Sequence, residues 1–263
     1  MKKKYDSIIY PYSKISRLPH FLQALALIIR HFTSKRPTYI HEFDGVATAH
    51  NLACLKDPKF EYSLQEAILA GGFDYQIYMR QHQAIWCAET ALRLNDAGSF
   101  VELGTAKGYT MTTILSSMDY QGKDLAKIPV YLFDTFSNSA TDSRGFQHSK
   151  FGKNIYYAES FEQARNIFLR FPNVRLIQGT LPESLNEIEL EPISFLHIDL
   201  NAPEVEIECL KLLWDHILPG GIILIDDFAY NGYDYTNRLF SELCLQLGVS
   251  ILTTAYGPGI IIK

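Results

Sequence analysis

The sequence predicts an α/β fold: a mostly parallel sheet with helices on both faces, closed by a C-terminal antiparallel hairpin. Three observations carry this. From Ser99 onward, short apolar runs alternate with stretches of helical periodicity. Those runs are apolar at successive positions, so both faces of each strand require cover. At the C-terminus, VSILTTA (249–255) and GIIIK (259–263) are separated only by Tyr256-Gly257-Pro258. That is too short for a crossover helix, so the two runs should pair antiparallel.

The elements follow in order. Lys2 to Lys4 read as a solvated basic tail. FLQALALIIRHF (21–32) reads as a short helix after Pro19, and residues 33–59, with Pro37 and Pro58, as irregular. A longer helix is predicted over 77–94, with Ile85, Ala88, Ala91 and Leu92 on its apolar face. It stops at Asn95-Asp96-Ala97-Gly98. The predicted strands are SFVEL (99–103), VYLF (130–133), VRLIQ (174–178), ISFLHI (193–198) and GIILI (221–225). Helices are expected near 109–118, 160–169, 204–217 and 235–247. Leu218-Pro219-Gly220-Gly221 reads as a helix stop that turns the chain back into the sheet. The polar stretch 137–153, which contains His148, reads as a long loop of the kind that covers binding sites. Right-handed crossovers place all parallel strand C-termini on one edge, where ligands of such sheets bind.

Length and composition narrow the function. A chain of 263 residues suits one large domain with an appendage, divided as an N-terminal helical or irregular extension (1–74) and a sheet domain (75–263). A formal charge of −5 gives no global attraction to nucleic acid or to anionic membranes. The apolar run 21–29 is too short to span a bilayer and lies too far from the N-terminus for a secretory signal. Cys54, Cys87, Cys209 and Cys244 form no CxxC pair and read as reduced thiols. A cytoplasmic enzyme acting on a small molecule is the expectation.

The chemistry gathers at predicted strand ends. Val101-Glu102-Leu103-Gly104-Thr105-Ala106-Lys107-Gly108 runs from strand through a glycine-bearing turn into a helix. Gly104 permits close approach of a ligand and Gly108 a tight start to the helix, although strand-to-helix turns carry glycines without any ligand. A dinucleotide site wants G-x-G-x-x-G. E-x-G-x-x-x-G lacks the paired early glycines, and Glu102 repels phosphate while suiting a cationic amino-acid ligand. A sulfonium cofactor is therefore favoured over a dinucleotide, with an NAD-dependent oxidoreductase kept as the rival. Asp134, at the end of the second strand, suits the two hydroxyls of a ribose; as an alternative it is a turn aspartate. Gln178-Gly179-Thr180 ends the third strand, where an adenine would lie against Gln178 or backbone amides; as an alternative Gly179 is a turn residue.

Asp199 ends ISFLHI, and Asp226-Asp227 end GIILI. Neighbouring parallel strands bring these carboxylates together, where they repel unless a hard cation or protons offset them. Oxygen ligands of this kind suit Mg²⁺, which lowers the pKa of a bound hydroxyl. The alternative is that some of them cap the following helices. His197 shares a face with Asp199 and reads either as a base or as a hydrogen-bonded core histidine. Tyr230, Tyr233 and Tyr235 are candidates for an acceptor pocket or for local packing.

With FVELGTAKG, FDTF (133–136), FLHIDLNAPEV (195–205) and LPGGIILIDDF (218–228), the chain resembles the macrocin O-methyltransferase family, from about Tyr75 to the C-terminus. The resemblance implies the Rossmann-like class I methyltransferase sheet and S-adenosylmethionine as cofactor. It implies cofactor contacts at Glu102, Gly104 and Asp134, with Thr105, Gly108, Gln178, Gly179 and Thr180 beside them, and Mg²⁺ ligation by Asp199, Asp226 and Asp227. Catechol-type relatives place a lysine base three residues after the first aspartate; here that position is Ala202, so Asp199 or His197 is expected to serve. The implied activity is O-methylation of a sugar or a sugar-bearing natural product. Residues before 75 are expected to cover the site or to build a homo-oligomer. A catalytically silent cofactor-binding scaffold is the remaining alternative.

Overall fold

The computed structural model describes residues 21–22, 25, 29, 41–48, 50–137 and 160–263. The Lys2–Lys4 tail, most of the 21–32 helix and nearly all of the 137–153 loop with His148 lie outside them. The chain divides into two compact units, residues 1–51 and 52–263.

In the first unit, β1 (His41–Phe43) pairs antiparallel with β2 (Val46–Thr48). Asp44 and Gly45 between them both have positive φ, +48° and +71°. An Asp-Gly pair in this conformation makes a two-residue turn whose twist matches that of the strands. Part of the segment read as irregular is thus a hairpin.

The second unit begins its helices with α1 (Pro58–Gly71), which the sequence reading missed. Its signals are complete: Asp57 accepts the Lys59 N–H as N-cap, Pro58 takes the first helical position, and Gly72 ends the helix in the left-handed conformation. α2 (Tyr78–Leu94) follows, within one residue of the expected start. Ala84, Cys87, Ala88 and Ala91 form a fully buried ridge of small side chains that lets α2 lie against the sheet.

The sheet has seven strands in the order β5-β4-β3-β6-β7-β9-β8. They are β3 (Ser99–Leu103), β4 (Val130–Asp134), β5 (Val174–Gln178), β6 (Ile193–Ile198), β7 (Ile217–Ile225), β8 (Ile251–Thr253) and β9 (Gly259–Ile262). β9 runs antiparallel to both β7 and β8, as the short 256–258 connection requires. The helices α3 (Tyr109–Tyr120), α4 (Phe161–Phe168), α5 (Pro203–Leu213) and α6 (Asp234–Leu247) fall where periodicity places them. A 3₁₀ turn, Trp214–His216, ends the segment read as one helix to 217.

One element differs in kind. Leu218-Pro219-Gly220-Gly221 is part of β7, not a turn before it. The β6–β7 register shifts between Ile193 and Phe195, a bulge that absorbs the extra residues at Pro219 and Gly220. Gly220 takes a positive φ of 79° there, and its N–H donates to the Lys263 carbonyl.

Strand alternation builds two cores. Phe100, Leu132, Phe195, Ile222 and Leu224 face Phe60 of α1, the small ridge of α2, Met111, Ile114 and Leu115 of α3, and Phe168 of α4. Val101, Tyr131, Phe133, Leu196, Ile198 and Ile223 face Cys209, Leu210 and Leu213 of α5 and Phe240 and Leu243 of α6. Covered strands of this kind are why the runs read as continuously apolar. All four cysteines are unpaired thiols.

Candidate functional site

β3, β4, β6 and β7 end on the same edge of the sheet and open into a cleft of about 740 Å³. Glu102, Gly104, Thr105, Asp134, Gly179, Thr180, His197, Asp199, Asp226 and Asp227 all line it. Gly108 and Gln178 do not. Gly108, with φ of 69°, starts α3, and a Cβ there would lie 2.3 Å from the Phe168 ring. Packing against Phe168 therefore requires a glycine here. The Gln178 side chain donates to the Thr135 carbonyl at 3.2 Å.

Gly104 is needed for a different reason. Its φ is +89°, and a Cβ would stand 2.0 Å from the Asp199 carbonyl oxygen. The ends of β3 and β6 thus touch backbone to backbone, fixing Asp199 beside the glycine turn; the Asp199 N–H donates to the Leu103 carbonyl at 2.9 Å.

Asp134 braces this turn. Its Oδ2 accepts the Ala106 N–H at 2.7 Å and its Oδ1 accepts the Phe136 N–H at 2.8 Å. The turn-aspartate alternative therefore describes these two interactions, while Asp134 also lines the cleft.

Glu102 and His197 are register partners on β3 and β6, and both are buried. Glu102 Oε1 lies 2.9 Å from His197 Nδ1. Burial pushes the Glu102 carboxyl up, against the lowering pull of its hydrogen bond to His197. For His197, burial lowers the pKa, but the bond and charge of Glu102, joined by Asp226 and Asp227, raise it overall. The directions agree: a buried pair among carboxylates holds its proton. His197 Nε2 is buried without a hydrogen-bond partner.

Asp199, Asp226 and Asp227 each offer an oxygen within 4.8 Å of the others, as strand order predicts. Burial, then Asp226 and Asp227, push the Asp199 carboxyl well above the usual range. Burial and Asp226 raise Asp227 to about 6, against the opposing charge of Arg80. Arg80 is a cleft residue the sequence reading missed. It is buried on α2, and its Nη1 lies 2.7 Å from Asp226 Oδ2 and 3.4 Å from Asp227 Oδ1. The Tyr230 ring lies 4.7 Å beneath its guanidinium carbon. No hydrophobic period marks this arginine as buried. The only signal was its place, one turn into a helix aimed at the carboxylate edge.

Around the trio, Glu206 of α5 accepts the Leu200 and Ala202 N–H groups, holding the loop after Asp199. Burial pushes its carboxyl up to about 7, against these bonds. Of the three tyrosines, Tyr230 lines the cleft, Tyr233 donates to Asn201 Oδ1 at 2.5 Å, and Tyr235 is exposed and outside the lining.

Such a sheet, with one antiparallel strand and carboxylates at the ends of β6 and β7, has the Rossmann-like methyltransferase architecture. Residues 101–228 match a protein family described as a methyltransferase domain. No protein of curated function matches the sequence. Among solved structures, the O-methyltransferase NovP is 20% identical with a TM-score of 0.56, over 75% of this chain and 88% of that one. CalS11, described as a TDP-rhamnose 3'-O-methyltransferase of calicheamicin biosynthesis, is 13% identical with a TM-score of 0.52, over 81% of this chain and 99% of that one. At these identities the likeness speaks for the fold. Among the described residues no helix is long and apolar enough to cross a membrane.

Proposed function

We propose that the chain is an S-adenosylmethionine-dependent O-methyltransferase of the macrocin O-methyltransferase type, acting on a hydroxyl of a sugar or sugar-bearing natural product. The carrying observation is the single cleft that joins the acidic glycine turn, Asp134 and the aspartate trio. The methyltransferase-domain match over 101–228 supports the same reading. Relatives in fold named for sugar methylation, such as CalS11, suggest the acceptor class.

The cofactor supplies an electrophilic methyl carbon on its sulfonium; the chain supplies position and charge. Glu102 suits the cofactor's ammonium group. Gly104 and Thr105 offer backbone at close range, Asp134 faces the ribose position, and Gly179 and Thr180 the adenine. The buried, unpartnered His197 Nε2 fits a polar ligand. With Nδ1 held by Glu102, His197 in its neutral form is one candidate to take a proton from an acceptor hydroxyl through Nε2, with Asp199 as the other.

Asp199, Asp226 and Asp227 would hold Mg²⁺; three carboxylate oxygens within 4.8 Å are a fitting donor set for a hard cation. The ion would polarise a bound hydroxyl. A metal-free variant of the same reaction has one observation in its favour, the Arg80 guanidinium already paired with two of the three carboxylates.

The test is transfer of a labelled methyl group to a panel of hydroxylated sugars and glycosides, with Mg²⁺ and with chelator. Label in an acid-stable O-methyl ether supports the proposal. No transfer to any hydroxyl, or label on nitrogen, refutes it.

A further inference from the structure

We infer that Arg80 is a built-in counterion of the aspartate trio that competes with a divalent cation for it, so that this one residue sets the site's metal affinity. The inference deepens the methyltransferase reading and rests on it for what the trio is used for.

The geometry carries it. Arg80 reaches the trio from α2, not from the sheet. A single nitrogen, Nη1, sits 2.7 Å from Asp226 Oδ2 and 3.4 Å from Asp227 Oδ1. That places a positive charge between two of the three carboxylates that would ligate the ion. The side chain is not a solvated arginine resting on a surface, for it is only 7% exposed. Tyr230, stacked on the guanidinium, restrains it from swinging away. A cation taking oxygens from Asp226 and Asp227 lies close to Nη1 in a poorly solvated cleft, where like charges repel strongly. The ion must therefore displace the guanidinium or bind the oxygens that Arg80 leaves. Arginine does not lose its charge to relieve this, since its pKa is far above neutrality. Asp199, for which no hydrogen bond to the carboxylate is found among the described residues, is the ligand that Arg80 does not occupy.

The test measures Mn²⁺ binding to the full chain by electron paramagnetic resonance of the free ion, for wild type, Arg80→Met and Arg80→Lys. The expected order of affinity is Arg80→Met, then Arg80→Lys, then wild type, with Arg80→Met at least ~10-fold tighter than wild type. Arg80→Met should melt lower than wild type without metal, and added Mn²⁺ should restore it. In Arg80→Met with Asp199→Asn the gain should vanish, which locates the ion at the trio. Affinity in Arg80→Met equal to or weaker than wild type overturns the inference, as does a gain that survives Asp199→Asn. If Arg80→Met fails to fold, Arg80→Gln, which removes the charge and keeps a hydrogen-bond donor, is compared with wild type by the same criterion. S-adenosylhomocysteine titrated into the same preparations reads the methyltransferase proposal separately. Its failure to bind sinks that proposal without altering the order of Mn²⁺ affinities.

Discussion

Gly104→Ala tests how the cleft is assembled. The residue holds φ of +89°, a region where a side chain is strained, and the added Cβ would stand 2.0 Å from the Asp199 carbonyl oxygen and 2.8 Å from its carbonyl carbon. Both neighbouring atoms are backbone, so no rotamer change relieves the clash. The backbone conformation costs about 1–3 kcal/mol and the overpacking about 1–3 kcal/mol more. Their sum is a large part of the roughly 5–15 kcal/mol that holds a domain folded. To accommodate the methyl group, the ends of β3 and β6 must separate, carrying Asp199 away from Asp226 and Asp227. Equilibrium urea unfolding followed by circular dichroism should show a loss of roughly 2–6 kcal/mol, and S-adenosylhomocysteine affinity should fall with it. A variant within about 0.5 kcal/mol of wild type, the range of a neutral surface change, with cofactor affinity intact, would refute the backbone contact.

Other consequences follow from the same site. Glu206 has its carboxyl raised by burial from 4.5 to about 7, so as pH rises the unfolded chain gives up this proton before the folded one. The stability Glu206 contributes is therefore full below pH 4.5 and lost as pH rises through about 7. Glu206→Gln keeps an acceptor for the Leu200 and Ala202 N–H groups, and unfolding titrations should show it gaining about 3 kcal/mol on wild type across that window. Glu102→Leu leaves His197 Nδ1 buried and unpaired, and should cost about 3–5 kcal/mol in urea unfolding. Asp134→Ala strips acceptors from the Ala106 and Phe136 N–H groups, and should lower stability by about 2–4 kcal/mol. Asp134→Asn retains one acceptor oxygen and should fall between it and wild type, in melting and in cofactor titration alike.

The sheet was legible because each central strand is apolar on both faces and ends at a chemically distinct residue: Leu103 before Gly104, Phe133 before Asp134, Ile198 before Asp199. The 256–258 connection likewise left antiparallel pairing as its one geometric solution. What escaped the sequence lay in signals that compete locally. The Asp44-Gly45 turn and the Asp57-Pro58 helix start were present, but both fall within the stretch read as irregular from Pro37, Pro58 and mixed polarity. The β7 onset was hidden because Pro219 and Gly220 ordinarily end elements, and here they are accommodated in a bulge against β6. Gly108 and Gly104 look alike in sequence, yet one clears an aromatic ring and the other a backbone carbonyl. Arg80 could not be read at all from helical periodicity, since its burial depends on carboxylates 146 and 147 residues away.

Calorimetric titration of the purified full chain with S-adenosylhomocysteine and, separately, with NAD⁺ decides which cofactor the cleft takes. The chain should show saturable one-site binding of S-adenosylhomocysteine, weakened by Asp134→Asn, and no binding of NAD⁺. Binding of NAD⁺, or of neither compound, would contradict the methyltransferase reading.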